Sequence, residues 1–223
     1  MKYRSSLRFI LEGIEGIGVT LAVLPTWPIS RRWLRNWGSR AEERERTWAG
    51  DAFVGLDPRA STRAIDVAAS CSEVWPWLIQ FGLGRAGFYS YELLERVAGI
   101  PVRNVESLVP HLQGIAVGDE ILLHPTAPGI RVAAVEPLRH LCFGVREPAD
   151  APTHTPDPGR SWSMYLEPRS AASCRLLLRA CVDPPRKPTF FKRLASLLEE
   201  PIDFIMEQRM LRTVKRLAES TTA

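Results

Sequence analysis

The alternation of apolar and polar residues predicts a series of short strands in the second half of the chain. Serine, histidine and arginine alternate there with larger apolar residues, and the segments follow one another about every ten residues, as in an antiparallel meander. We therefore predict an antiparallel sheet with one apolar face and one face in water, the latter carrying Arg175 and Arg179. The predicted strands cover residues 120–124, 129–137, 139–147, 161–168 and 173–183.

One strand and two helices are predicted before this meander. Residues 61–68 alternate like a first strand, and Ser70 with Glu73 forms a capping box at the start of a helix. Pro76 would kink that helix unless the helix begins later than Ser70. A second short helix is predicted over residues 91–98.

The chain ends in a long helical pattern. After an interruption expected at Pro201, apolar residues recur at i, i+3 and i+4, which indicates an amphipathic helix of about five turns. The order of strand, two helices, meander and long helix indicates an α+β fold in which a curved antiparallel sheet wraps around the last helix. Because the sheet and the helix cannot close fully on each other, we expect a cavity between them.

The N-terminal segment differs in character from the rest of the chain. Residues 9–29 are almost long enough to cross a bilayer, although Glu12 and Glu15 make a clean span unfavourable. Three interpretations stay open: a segment that spans or lies on a membrane, a helix docked on the folded domain, or a cleaved signal. The chain is thus divided into a hydrophobic helix, a connector and a ligand-binding domain, at residues 1–30, 31–60 and 61–223.

Composition and charge narrow the possible functions. The formal net charge of +4 is spread along the chain, so we expect no nucleic-acid binding, which would need a denser basic stripe. The charge run AEERER in the connector is most simply a solvated helix face. Four cysteines without a C-x-x-C pair argue against a metal site and suit a reduced, cytoplasmic domain. No hydrolase or nucleotide-binding motif is present, so no cofactor is expected and any catalytic residues stay unknown.

Four separated blocks of sequence carry a family resemblance. In chain order they read VWPWLIQFGLGRAGFYSYELLERVAGI, VGDEILLHP, SWSMYLEP and EEPIDFIMEQRMLRTVKRLAE. Together they resemble bacterial members of the SRPBCC superfamily, the START and Bet v1-like helix-grip proteins, over about residues 61–219. The superfamily includes lipid-transfer proteins, hormone binders, polyketide aromatase/cyclases and oxygenase subunits, and it has no shared catalytic motif. The resemblance implies a helix-grip cavity for an apolar or aromatic ligand.

Three functions are compatible with these observations. We expect non-covalent binding of an apolar small molecule, such as a lipid or a polyketide-like compound, with transport or sensing as the purpose. A cyclase or dehydratase acting on a bound polyketide-like substrate is an alternative, so the question of enzymatic activity stays open. A protein-interaction module whose cavity is filled by side chains is a third possibility. Membrane contact through residues 9–29 would suit the first of these.

The glycine-rich segment after the first helix supplies many of the candidate ligand contacts. Its tyrosines can line a pocket mouth and hydrogen-bond at one edge, and Arg85 can hold an anionic group or be an exposed loop arginine. Asn104 can reach the ligand or form a turn. Trp75 and Trp77 point to nearly opposite faces of their helix, so at most one faces the cavity. The candidate ligand-binding residues are Trp77, Arg85, Phe88, Tyr89, Tyr91, Asn104, Phe143, Trp162, Met164 and Leu178.

Overall fold

An antiparallel sheet of six strands dominates the computed structural model, which describes residues 5–55, 57–145, 159–183 and 190–222. The strand bounds are β1 Arg59–Val67, β2 Glu120–Ile121, β3 Ile130–Glu136, β4 His140–Val145, β5 Arg160–Ser170 and β6 Ser173–Val182. They lie in the order β1-β6-β5-β4-β3-β2, so the meander closes by pairing its last strand with the first. The predicted sheet is confirmed, although β2 has two residues where five were expected.

Helices precede the sheet in the chain, follow its first strand and end the chain. The α-helices are α1 Ser6–Arg35, α2 Ala41–Glu45, α3 Cys71–Ile79, α4 Glu92–Val97 and α5 Phe190–Thr222, with 3-10 turns at Ala49–Phe53 and Pro110–Leu112. The capping interaction predicted for α3 is present, since the Ser70 backbone N–H donates to a Glu73 carboxylate oxygen at 2.7 Å. The helix begins directly after Ser70 and contains Pro76, which removes one helical hydrogen bond without delaying the start.

The C-terminal helix α5 runs through Pro201 without a break. The interruption expected there is therefore wrong. A proline removes one hydrogen bond from a helix, and packing on two sides compensates: buried Leu211 and Val214 meet the sheet, while buried Phe204 meets α1. The sheet side of this core consists of Leu141, Phe143, Met164, Leu166, Leu176 and Leu178.

The opposite face of the sheet is covered rather than wet, so that expectation was wrong. Arg175 is only 3% exposed because α2 lies over it. Its guanidinium donates to both carboxylate oxygens of Glu43, at 2.8 and 3.0 Å. Glu43 belongs to the AEERER run and is itself 4% exposed, whereas Glu42, Glu45 and Arg46 of that run are exposed, so the expected solvated face fails at Glu43. Partnered burial explains the buried charges, since a charge can leave water when a paired charge satisfies it.

The 3-10 turn of the connector extends this cover along the sheet. Arg179 donates to Asp51 at 2.7 Å, and the Gly50 backbone N–H donates to the Tyr165 hydroxyl at 2.8 Å. The Trp48 ring packs on Tyr165 with their centroids 4.3 Å apart. The connector is thus a packed layer on the outer face of the sheet, and the inner face is left for α5 and the cavity.

The N-terminal helix α1 packs against α4 and α5. Glu12 is buried, accepts a hydrogen bond from Arg8 at 3.1 Å and forms an ion pair with Arg209 at 2.6 Å. Gly16 allows close approach, because a Cβ placed there would lie 3.0 Å from the Tyr91 ring. Of the three interpretations of this segment, the docked helix is the one that these contacts describe. None of the described helices combines enough length with enough apolar character to cross a bilayer.

Candidate functional site

A cavity of about 740 Å³ lies between the inner face of the sheet and the helices α4 and α5. A long C-terminal helix held in a curved antiparallel sheet, with a cavity between them, defines the architecture. The chain has a helix-grip fold. Helix α5 contributes the greatest number of apolar contacts to the cavity wall, and Thr20 of α1 also borders it. The apolar lining from the helices consists of Leu94, Val97, Ala98, Ile202, Ile205, Met206 and Met210.

Four aromatic rings form one wall of the cavity, with Phe143 and Trp162 on the sheet and Phe81 and Phe88 in the segment after α3. Phe81 packs on Phe88 and on Trp162, with centroid distances of 5.2 and 5.1 Å, and Phe143 stacks on Trp162 at 5.6 Å. Such offset ring pairs stabilise one another beyond their burial in apolar surroundings. Strand alternation places Phe143 and Trp162 on the same face, where the two residues are directly paired across β4 and β5.

Trp162 is fixed in place by a buried polar network. Its indole N–H donates to Glu207 Oε1 at 2.9 Å, and Arg63 donates to Oε2 of the same carboxylate. Arg63 is almost wholly buried and also donates to the Leu34 carbonyl at 3.0 Å. Burial lowers the pKa of Arg63 to about 10, with the opposing pull of Asp203 next in size. Arg63 therefore stays charged at neutral pH and holds Glu207 against the tryptophan.

Two further carboxyl groups border the cavity. Glu95 is buried on α4 and accepts a hydrogen bond from the Ser90 hydroxyl at 2.7 Å, and its burial raises its pKa. Asp203 keeps contact with solvent, yet the surrounding protein removes enough hydration to raise its pKa to about 6, against the attraction of Arg63. In both groups burial favours the protonated form more than it does in ordinary surface carboxyls.

Three of the candidate residues line this cavity: Phe88, Phe143 and Trp162. Met164 and Leu178 lie on the same face of the sheet but within the packed core, each 1% exposed. Trp77 is also in the core, where it meets the Tyr89 ring edge-on at 6.4 Å. Trp75 and Trp77 are both buried in the same cluster, and neither borders the cavity.

The polar candidates hold loops together. Arg85 donates to the carbonyls of Ile79 and Phe81, at 2.9 and 3.1 Å, and so fixes the end of α3. Asn104 accepts from the Tyr89 backbone N–H at 2.6 Å and donates to a neighbouring carbonyl at 3.0 Å. The hydroxyl of Tyr91 donates to Glu15 of α1 at 3.1 Å. The parts assigned to these residues in ligand binding stay predictions.

The sequence reasoning did not identify Phe81, Glu95 or Asp203 as cavity residues. For Glu95 a signal was present in the predicted helix 91–98. Tyr91, Leu94 and Ala98 share a helical face with Glu95 at i, i+3, i+4 and i+7 spacing. A carboxyl on an otherwise apolar helical face indicates a polar group turned towards the interior.

Comparison with known proteins found similar solved structures. No family model and no curated protein matches it. Similar solved structures include a polyketide cyclase-like protein from Corynebacterium glutamicum, with 14% identity over 75% of this chain and 96% of the other and a TM-score of 0.42. Norcoclaurine synthase from Thalictrum flavum shares 15% identity over 76% and 99%, with a TM-score of 0.38. An aromatase/cyclase from a Streptomyces species shares 11% over 75% and 97%, with a TM-score of 0.35.

The structure itself confirms the predicted α+β helix-grip fold. The architecture of sheet, cavity and α5 is the evidence for that fold. At such identities and TM-scores the likeness does not extend to ligand or activity.

Proposed function

We propose that this protein binds an apolar small molecule, such as a lipid or a polyketide-like compound, in the cavity between the sheet and α5. The observation that carries the proposal is the open volume of about 740 Å³. Pockets for small molecules occupy about 300–1,000 Å³ and are mostly apolar, with a few polar groups that fix orientation. An interaction module with a filled cavity does not account for this space.

The aromatic wall supports binding in a defined orientation. Phe81, Phe143 and Trp162 border the cavity, and the Glu207 hydrogen bond holds the indole before any ligand arrives. A group that is already fixed costs little entropy when the ligand binds. Burial of apolar surface then contributes about 25 cal/mol per Å² to the affinity. A cyclase or dehydratase is the second candidate, because Glu95 and Asp203 are cavity carboxyls with raised pKa values.

The test uses N-phenyl-1-naphthylamine, an apolar dye whose fluorescence rises in apolar surroundings. We expect saturable binding to the native protein. Ala180→Trp should abolish it, because Ala180 borders the cavity directly across from Trp162. Ala127→Trp is the matched control, since Ala127 is exposed in a loop outside the cavity lining. Unchanged binding by the Ala180→Trp protein would show that the dye does not enter the cavity.

We also propose that the outer face of α1 contacts a lipid bilayer. Buried Glu12 and partly exposed Glu15 both pair with Arg209 of α5, and basic Arg32 lies in the last turn of the helix. Such a helix lies in the membrane interface with its apolar side down and its basic residues near anionic lipid. The exposed apolar residues are Leu7, Ile10, Leu11, Ile14, Ile17, Leu21, Leu24 and Ile29.

The position of the cavity favours a bilayer over a protein as the occupant of this face. Thr20 of α1 borders the cavity, and Val97 and Ile202 on its wall are themselves exposed apolar residues. Docking through α1 would therefore bring the cavity close to the membrane, where apolar molecules dissolve. The four free cysteines suit the cytoplasmic side.

Vesicle flotation tests this contact. The protein should float with vesicles of phosphatidylcholine and phosphatidylglycerol, and Leu21→Glu should lower the bound fraction severalfold. Leu122→Glu is the control, because Leu122 is exposed on another part of the molecule. A protein that stays unbound and sediments as a dimer through this face would contradict the proposal.

A further inference from the structure

Glu95 is the cavity carboxyl that no basic residue neutralises. It is 8% exposed, and its only side-chain hydrogen bond in the described part of the protein joins Oε1 to the Ser90 hydroxyl at 2.7 Å. No ion pair within the described ranges includes it. Its Oε2 is not among the enclosed polar atoms without partners, so this oxygen is open to the cavity that Glu95 borders. A buried carboxyl with one open oxygen offers a hydrogen-bonding position to a ligand.

Acidic groups outnumber basic ones in the lining of the cavity. Arg63 donates to Glu207, and Arg160 attracts the Asp203 carboxylate without forming an ion pair among the described contacts. Among the described cavity-lining residues Arg160 is the only basic one, against the three carboxyls of Glu95, Asp203 and Glu207. This excess of carboxyls disfavours an anionic head group.

We propose that Glu95 is the polar anchor of the ligand, and that the cavity selects apolar, ring-bearing molecules whose polar group is neutral or cationic. This inference rests on the proposed function. A hydroxyl or amine can donate a hydrogen bond to the ionised carboxyl, and a hydroxyl or carbonyl can accept one from the protonated carboxyl. A carboxylate, sulfonate or phosphate in the same place would be buried against carboxyl groups, and like charges held close in a low-dielectric site repel strongly. Fatty acids and phospholipids are thereby disfavoured.

The aromatic wall adds to this selectivity. Aromatic rings attract an ammonium group that lies over their faces, and they offer no such attraction to an anion. Phe81, Phe88 and Trp162 border the same cavity as Glu95. A ring-bearing amine or alcohol of moderate size matches both features of the cavity, the rings and the open carboxyl oxygen.

Two dyes of the same ring system provide the test. N-phenyl-1-naphthylamine is neutral, and 8-anilinonaphthalene-1-sulfonate differs from it by one sulfonate. For the native protein we expect the neutral dye to bind at least tenfold more tightly, with both dyes excluded by Ala180→Trp. Equal affinities, or tighter binding of the sulfonate inside the cavity, would overturn this inference and leave the proposed function standing. Failure of both dyes to bind would overturn the proposed function and this inference with it.

A substitution then assigns the selectivity to one residue. Glu95→Gln keeps the side-chain shape and provides an N–H donor, so it should improve sulfonate binding severalfold and change binding of the neutral dye by less than threefold. Glu136→Gln is the matched control, because it removes one carboxylate at an exposed position away from the cavity. Unchanged sulfonate binding in a folded Glu95→Gln protein would show that Glu95 does not cause the selectivity against anions. The comparison of the two dyes on native protein decides the ligand class even where this variant does not fold.

Discussion

The ion pair between Glu43 and Arg175 is the contact that should matter most for the outer layer of the sheet. Glu43→Ala would leave the Arg175 guanidinium buried without its carboxylate partner. Breaking a buried pair in this way costs about 3–5 kcal/mol. Arg175 would still be 3.2 Å from exposed Asp66, so we expect a value at the lower end, about 3 kcal/mol. For a chain of this size the melting temperature should fall by about 6–12 °C.

The same ion pair determines whether the stability of the protein rises or falls with pH. Burial alone would raise the pKa of Glu43, but the hydrogen bonds and charge of Arg175 outweigh it and lower the pKa below its ordinary 4.5. A carboxyl with a depressed pKa stabilises the protein fully above its unfolded pKa, and the contribution is lost as the pH falls through the folded value. The native protein and Glu43→Ala should therefore differ in stability at neutral pH and converge in acid.

Thermal unfolding followed by circular dichroism measures both effects. Glu136→Ala is the control, because Glu136 pairs with Arg139 at the surface, where such pairs contribute less than about 1 kcal/mol. Replacing both partners, as Glu43→Leu with Arg175→Met, should recover most of the loss, since an apolar pair needs no solvation. A melting temperature for Glu43→Ala no lower than that of the control would refute the docked connector.

Three further outcomes follow from single contacts. Asn104→Ala removes two buried hydrogen bonds and should lower the free energy of unfolding by about 3 kcal/mol, measured by urea titration; a loss under 1 kcal/mol would contradict the network. Gly16→Leu would clash with the Tyr91 ring, so hydrogen exchange along α1 should become faster, and an unchanged exchange rate would speak against the packing. Trp162→Ala should weaken N-phenyl-1-naphthylamine binding at least tenfold, whereas Tyr89→Phe, outside the cavity, should not. Equal losses of affinity in the two variants would show that the dye does not bind beside Trp162.

The inner face of the sheet could be predicted from the sequence because it depends on residues that are close together in the chain. Alternation in β5 and β6 placed Trp162 and Met164 on one face, and antiparallel pairing of neighbouring strands then aligned Phe143 beside Trp162. The capping box of α3 depends on residues three apart and was equally visible. These features need no knowledge of distant parts of the chain.

The outer face could not be predicted for the opposite reason. Arg175 and Glu43 are 132 residues apart, and an arginine on a strand looks the same whether it faces water or a buried carboxylate. The apolar pattern of α1 is likewise shared by docked and membrane-bound helices, and one of the two arginines that pair with Glu12 comes from α5. Arg85 and Asn104 bind loop backbone whose path only the folded chain defines.

A crystal structure with N-phenyl-1-naphthylamine would test the central claim most directly. The account predicts that the naphthyl rings lie in the cavity, with the Phe143–Trp162 pair on one side of them and α5 on the other. The amine should lie within hydrogen-bond distance of Glu95. A dye bound only along the outer face of α1, or a cavity that excludes the dye at saturating concentration, would contradict it.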